Sequence, residues 1–414
     1  MVQVFGQRDG RCPAAAGGRA HPGSAPTVAS PLPSPAVHRA APAGGLRLLL
    51  LQTQAENAGA QEIARLLGQG LSEHGHLIRQ LFFFRRTAAF DGDATACFCA
   101  EARPSGPLDL LRLLLRLRRE IRRFRPDVVL CFQHYGNVIG APMAWLAGAP
   151  RVVANQNTTA QGSPAAARFL DRWLGRLGLY GRIVAVSADA EASYRAHPRR
   201  YRERLTRIDH GVAVKRSSLD RGQARARFGL PPGVVLLGCA ARLHPQKRLD
   251  VAVRMLREHP TWHLALAGQG TEGGPLAALA REWGCTDRLH LLGELGPEGV
   301  ADFLASLDVF VFPSEMETFG LAAVEAAQAG LPVVANDLPV LREVLAVDGE
   351  PCAVFADSSD PDAFEQAVAG LVDAPARAAI LAERGRRLAA RYPVDGMVSA
   401  YDALIRGLAG AGRG

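Results

Sequence analysis

From residue 46 onward, short apolar runs bounded by turn residues alternate with amphipathic segments, the pattern of parallel strands joined by crossover helices. In the first half this pattern predicts strands at 46–51, 77–84, 127–132, 151–154, 182–186 and 206–209. It restarts after His210-Gly211, with strands expected at 234–240, 263–267, 288–292, 309–312, 332–335 and 353–355. The expected fold class is therefore α/β, with two Rossmann-like doubly wound parallel-sheet domains, 46–211 and 212–393, facing a cleft. A last segment, 394–414, is apolar at helical spacing and is expected to pack back on either domain. Residues 1–45 are rich in Ala, Pro, Gly and Ser, show no period and predict a disordered tail. In open sheets of this kind ligands bind beyond the carboxyl ends of the strands, so the informative residues are those that directly follow a strand.

Composition narrows the function classes. A chain of 414 residues, 48% hydrophobic and 21% charged, suits a soluble two-domain protein, and no apolar run is long enough to span a bilayer. Arg8-Asp9-Gly10-Arg11 interrupts any secretory signal core, so a cytoplasmic location is expected. Seven cysteines, an odd number without a C-x-x-C pair, read as reduced thiols, and Cys97 and Cys99 lack partners at metal-ligand spacing. The net charge of +8 is mostly local, because residues 108–125 hold seven arginines against Asp109 and Glu120. Aromatics, 6% of residues, are not interleaved with that cluster, so no nucleic acid partner is expected. Leu108, Leu111, Leu114, Leu115, Leu117, Ile121 and Phe124 share the segment at helical spacing. It is read either as a crossover helix turning Arg to water or as a helix lying on an anionic membrane at the inner face.

The expected strand at 309–312 runs into Pro313-Ser314-Glu315-Met316-Glu317-Thr318-Phe319-Gly320-Leu321, then a helical stretch through Glu325 to Gly330. A helix N-terminus offers unpaired N–H groups to a phosphate, and Gly320 lets the backbone approach closely. Glu325 is placed to accept hydrogen bonds from ribose hydroxyls and Glu317 to reach a sugar. The bland alternative is a pair of acidic residues favoured at any helix start. A second loop, Ala241-Arg242-Leu243-His244-Pro245-Gln246-Lys247-Arg248, follows the expected strand 234–240 and presents cations suited to a diphosphate. Only two lysines, Lys215 and Lys247, stand against forty-six arginines, so an ammonium at 247 is compositionally unexpected. Its alternative is a solvated basic loop.

With these residues in view, the segment from about residue 230 to 345 resembles the retaining glycosyltransferases of family 4. The resemblance is carried by Ala241-Arg242-Leu243 with Lys247, Ala267-Gly268-Gln269-Gly270, Leu292-Gly293, Leu307-Asp308-Val309 running to Pro313-Ser314, and Glu317-Thr318-Phe319-Gly320-Leu321 through Glu325-Ala326-Ala327 to Gly330-Leu331-Pro332. It implies a GT-B fold, a nucleotide-diphosphate sugar donor held by the C-terminal domain, a glycan or lipid-linked acceptor, and transfer with retention in cell-surface glycan or glycolipid synthesis. By the same resemblance, Arg242 and Lys247 neutralise the leaving diphosphate, Glu325 holds the ribose and Glu317 contacts the donor sugar. The backbone at Phe319, Gly320 and Leu321 holds the sugar hydroxyls or β-phosphate, and Gly268 lies on the donor side. No cofactor is implied beyond the donor. No metal is needed, since the two cations can perform the neutralisation and no Asp-x-Asp motif offers a cation site beside the phosphates.

The first half matches more loosely. Gln54-Ala55-Glu56-Asn57-Ala58-Gly59-Ala60-Gln61 looks like the family's glycine loop, with Gly59 near the diphosphate. Pro126-Asp127-Val128-Val129 lacks the family's His three or five residues beyond Asp127, and His134 at seven is the nearest candidate. Asn155-Gln156-Asn157 stands where relatives often carry a His, and His210 replaces a frequent Asn. Two rival readings remain: a non-catalytic nucleotide-sugar-binding protein, and an NAD-dependent oxidoreductase suggested by Gly268-Gln269-Gly270-Thr271-Glu272-Gly273. Against the second, Gly-Pro at 274 and 275 opens the helix late and the fingerprint is not in the first turn of its domain.

Overall fold

The computed structural model describes residues 44–149, 151–157 and 164–410. Apart from residues 44 and 45, the expected tail 1–45 lies outside the described residues. The first sheet comprises β1 (Arg47–Ala55), β2 (Leu77–Arg85), β3 (Ala96–Phe98), β4 (Val128–Phe132), β5 (Val152–Gln156), β6 (Arg182–Ala185) and β7 (Leu205–Arg207), all parallel, in the order 3-2-1-4-5-6-7. The second holds β8 (Val235–Ala240), β9 (Trp262–Ala267), β10 (Leu289–Gly293), β11 (Val309–Phe312) and β12 (Val333–Asn336). After a small antiparallel hairpin of β13 (Ala346–Val347) and β14 (Glu350–Pro351), β15 (Val354–Ala356) completes it in the order 10-9-8-11-12-15. The α/β fold of two Rossmann-like parallel sheets is thus the observed architecture.

Helices cover both faces of each sheet, which is why the strands are unbroken apolar runs. On one face of the first sheet the helix Gly59–Glu73 packs Ile63, Ala64, Leu67 and Leu71 beside Met397, Val398, Tyr401 and Ile405 of the C-terminal helix Val394–Gly410. That last helix therefore closes back on the first lobe, and Tyr401 Oη donates to Asn155 Oδ1 at 2.5 Å. On the opposite face lie the helices Pro107–Phe124, Ala141–Leu146 and Ala165–Leu177.

Two elements escaped the hydrophobic pattern for physical reasons. β1 continues four residues past its apolar run because buried Gln52 donates to Gln80 Oε1 on β2 at 3.0 Å, a polar pair inside the sheet. β3 has three residues, too few for a period to show.

In each sheet the strand order reverses beside the first strand, between β1 and β4 and between β8 and β11. At such a switch point neighbouring loops diverge and leave a crevice beyond the strand ends.

Candidate active site

A cleft of about 790 Å³ joins the two crevices. Its walls are the segments that follow β1, β2, β4, β5, β8, β9, β10 and β11, together with linker residues between His210 and Lys215. Two helices point their N-termini into it, Gly59–Glu73 from one lobe and Leu321–Gln328 from the other. First-turn N–H groups have no partner within a helix, so the facing ends give a concentrated set of donors and positive dipole ends. The approach is close enough that a Cβ on Gly59 would lie 2.9 Å from Leu321 Cδ1. Gly320 adopts φ +78° to start the second helix, and a Cβ there would meet Leu341 Cδ2 at 2.5 Å. Behind it Phe319 is buried edge-on against His210 and Tyr392, with ring centroids at 5.3 and 5.1 Å.

Both lysines of the chain line this cleft, and each holds one of the two expected glutamates. Lys247 Nζ donates to Glu317 Oε1 at 2.5 Å and lies 5.4 Å from the Phe312 ring centre. Lys215 Nζ is 3.7 Å from Glu325 Oε1 and donates to Glu62 Oε1 at 3.1 Å. Burial pushes the Glu325 carboxyl up to about 7, with Lys215 opposing the rise and Glu62 adding to it. Arg242 is exposed on the same wall and makes no salt bridge with a described residue.

The glycines that suggested a dinucleotide have a packing reason. Ala241 N donates to Ala267 O and Leu243 N to Gln269 O, each at 2.9 Å, which lays two strand-end loops side by side. A Cβ on Gly268, at φ +146°, would sit 1.9 Å from Ala241 O, and one on Gly270 would sit 2.0 Å from Leu243 O. The spacing thus brings Arg242 and Gly268 to one wall of the cleft, with no pyrophosphate needed to explain it.

His134 is the candidate that the structure does not gather with the others. It faces a separate recess of about 20 Å³ shared with Gln156, Asp171, Tyr194 and His197, where burial lowers its imidazole to about 4. The preceding Gln133 lines the cleft instead. Gln133 takes φ +65°, unusual for a residue with a side chain, and its N–H donates to Asn157 Oδ1 at 3.3 Å. The left-handed turn at the end of β4 is what sends residue 134 away. His210 does line the cleft, but burial lowers it to about 3, so it is neutral there.

Sequence reasoning missed several cleft residues. Lys215 carried a signal, its rarity, that was applied only to Lys247. Gln133 and the Glu62–Arg65 pair carried none, because ordinary polar residues on a strand end and a helix face are distinguished only by position. Glu294 accepts from Asn57 N–H at 2.9 Å and Thr318 Oγ1 donates to Asn157 O at 3.1 Å, both between lobes. Such contacts depend on domain placement.

Residues 58–216 match the family model described as Glycosyltransferase Family 4, and residues 220–388 match Glycosyl transferases group 1. The lipopolysaccharide core biosynthesis mannosyltransferase LpsB of Rhizobium meliloti is 31% identical over 219 residues, covering 49% of this chain and 61% of that protein. D-inositol 3-phosphate glycosyltransferase 2 of Catenulispora acidiphila is 34% identical over 231 residues, 51% of this chain and 52% of that protein. The chain therefore spans about half the length of the curated relatives it matches. Among solved structures, Anabaena HepE in complex with UDP and glucose superposes with a TM-score of 0.75 at 16% identity, covering 87% of this chain and 99% of HepE. The lipopolysaccharide-synthesis glycosyltransferase WaaG gives 0.71 at 15% identity, covering 87% and 100%. At such identities these likenesses speak for the fold.

Proposed function

Because this chain belongs to the glycosyltransferases of family 4, we propose that it moves a glycosyl group from a nucleotide-diphosphate sugar to an acceptor hydroxyl, with the anomeric configuration retained. One observation carries the reading: two helix N-termini from opposite lobes converge, at facing switch points, on a cleft that also holds Arg242, Lys247, Glu317 and Glu325. Breaking the anomeric bond develops negative charge on the diphosphate and positive charge on the sugar ring. The helix ends, Arg242 and Lys247 stabilise the first, and because they are fixed beforehand they need little reorganisation as the bond breaks. Glu317, held by Lys247, faces the sugar, and Glu325 takes the ribose. Phe319, Gly320 and Leu321 offer backbone groups, while Gly59 and Gly268 leave room for the diphosphate. Fixed cations in these places make a metal unnecessary. His134 has no part in this scheme.

The acceptor is proposed to be a cell-surface glycan or glycolipid, in keeping with the mannosyltransferase LpsB of lipopolysaccharide core biosynthesis. No helix of the described residues is long and apolar enough to cross a membrane. Peripheral contact at the inner face is supported by one side of the first lobe. There Leu108, Leu111, Leu115, Trp145, Phe169 and Trp173 are exposed on helices that pack on the same side of the sheet, and of these Pro107–Phe124 and Ala165–Leu177 also carry exposed arginines. Aromatic and aliphatic side chains set among arginines suit an anionic interface. Replacing Arg112, Arg116, Arg119 and Arg123 by Gln should release the protein from acidic vesicles. Equal binding by parent and variant would leave these arginines a solvated face.

The deciding experiment is a panel of nucleotide sugars scored for transfer or donor hydrolysis, alongside titration with UDP, GDP and NAD. Turnover of a sugar donor supports the proposal. Nucleoside diphosphate binding without turnover favours the binding protein, and tight NAD binding favours the oxidoreductase.

A further inference from the structure

Lys215 lies on the linker between the lobes, and its ammonium reaches a carboxylate of each. Glu62, on the helix Gly59–Glu73, is 3.1 Å away and Glu325, on Leu321–Gln328, is 3.7 Å away. The lysine side chain is 8% exposed, and the two carboxylates are the ion-pair partners such burial calls for. The two carboxylates do not depend on it equally. Glu62 also accepts two hydrogen bonds from Arg65, at 2.8 and 2.9 Å, whereas Lys215 is the cation that acts on Glu325.

Resting on the reading of Glu325 as the ribose carboxylate, we propose that Lys215 is the positioning residue for the nucleotide: its ammonium, 3.7 Å from one Glu325 oxygen, holds that side of the carboxylate by charge. The other oxygen is then left for the ribose. An ionised carboxylate only accepts hydrogen bonds and can take both ribose hydroxyls, while a protonated one must donate from one oxygen.

The charged neighbours of Glu325 make the effect directional. Lys215 favours the ionised form and Glu62 the neutral one, with Arg65 acting through Glu62. His210, Lys247 and Glu317 stand on other walls of the cleft. On the far flank the helices Pro375–Arg386 and Leu388–Arg391 pack against Leu321–Gln328, and there Arg386 pairs with Glu383 and Arg387 with Asp348. Burial already holds Glu325 near 7, so removing Lys215 raises it further and nucleotide affinity fails at a higher pH.

The test is calorimetric titration of the full chain with UDP and with GDP between about pH 6 and 9, paired with donor kinetics. Lys215→Met should bind about tenfold more weakly near pH 7, recover toward pH 9, and raise KM more than it lowers kcat. Lys215→Arg should restore the parent profile. Glu62→Gln removes the opposing carboxylate and should move the profile toward lower pH, which tests the idea even if the methionine variant does not fold. Weakening by the same factor at every pH, or unchanged profiles in these variants, overturns the proposal. Failure of the parent protein to bind either nucleotide would instead overturn the nucleotide-sugar reading on which it rests.

Discussion

Replacing Lys247 by Met removes the cation that Glu317 meets at 2.5 Å while keeping most of the side-chain volume beside Phe312. The two side chains are 19% and 12% exposed, so the pair is mostly enclosed. At an effective dielectric of about 20 and that separation, their gross attraction is about 7 kcal/mol. Part of that only offsets desolvation, and cleft water screens the rest. The net loss of stability should be about 2 to 3 kcal/mol, below the roughly 3 to 5 kcal/mol for breaking a fully enclosed pair. The cost arises because a carboxylate is left buried alone, and a second substitution exposes that cause. Lys247→Met with Glu317→Gln should regain stability to within about 1 kcal/mol of the parent, since no lone charge remains. Turnover should behave differently. Losing a fixed cation at the leaving diphosphate should lower kcat about a hundredfold to a thousandfold, and the second substitution should not bring it back. Urea denaturation and donor turnover, measured on parent, single and double variants, separate the two effects. Near-parental turnover in the single variant, or turnover that recovers with stability in the double, would refute the assignment of Lys247 to the diphosphate.

Four further outcomes are expected. Glu325→Ala should weaken nucleoside diphosphate binding and raise the donor KM, whereas Glu317→Ala should lower kcat and leave that binding nearly unchanged, as calorimetry beside donor kinetics will show. Gly268→Ala should cost about 3 kcal/mol or more in a urea titration, because its Cβ would meet backbone oxygen Ala241 O at 1.9 Å and φ is +146°. Gly59→Ala meets only the movable tip of Leu321 at 2.9 Å, so it should change stability by less than about 1 kcal/mol while raising the donor KM. His210 is held neutral, its imidazole lowered to about 3 by burial, so the unfolded chain binds a proton below about pH 6.5 that the native state refuses. The parent should then lose stability relative to His210→Asn by up to about 1.4 kcal/mol per pH unit as pH falls from 6.5 toward 3. Parallel urea midpoints across that range would contradict the neutral, buried imidazole.

The sequence by itself determined the architecture and the cleft wall built by the segments after β8 and β11. Strands enclosed on both faces, such as Leu48–Leu51 and Val309–Phe312, must be continuous apolar runs, so the two parallel sheets show directly in hydropathy. Arg242, Lys247, Glu317, Gly320 and Glu325 were legible because each lies on the loop, or on the first helix, that directly follows β8 or β11, which makes their placement a matter of local chain geometry. Tertiary structure alone decided what depends on distant segments or on one backbone angle. The φ of +65° at Gln133 puts that residue in the cleft and His134 in another recess, a choice that counting residues from Asp127 does not resolve. Lys215 meets Glu62 and Glu325 only once both lobes are folded and docked, since 153 positions separate it from the first. Hydropathy follows from burial, which each segment carries in its own pattern. Pairing of charges follows from distance between segments, and that exists only in the folded molecule.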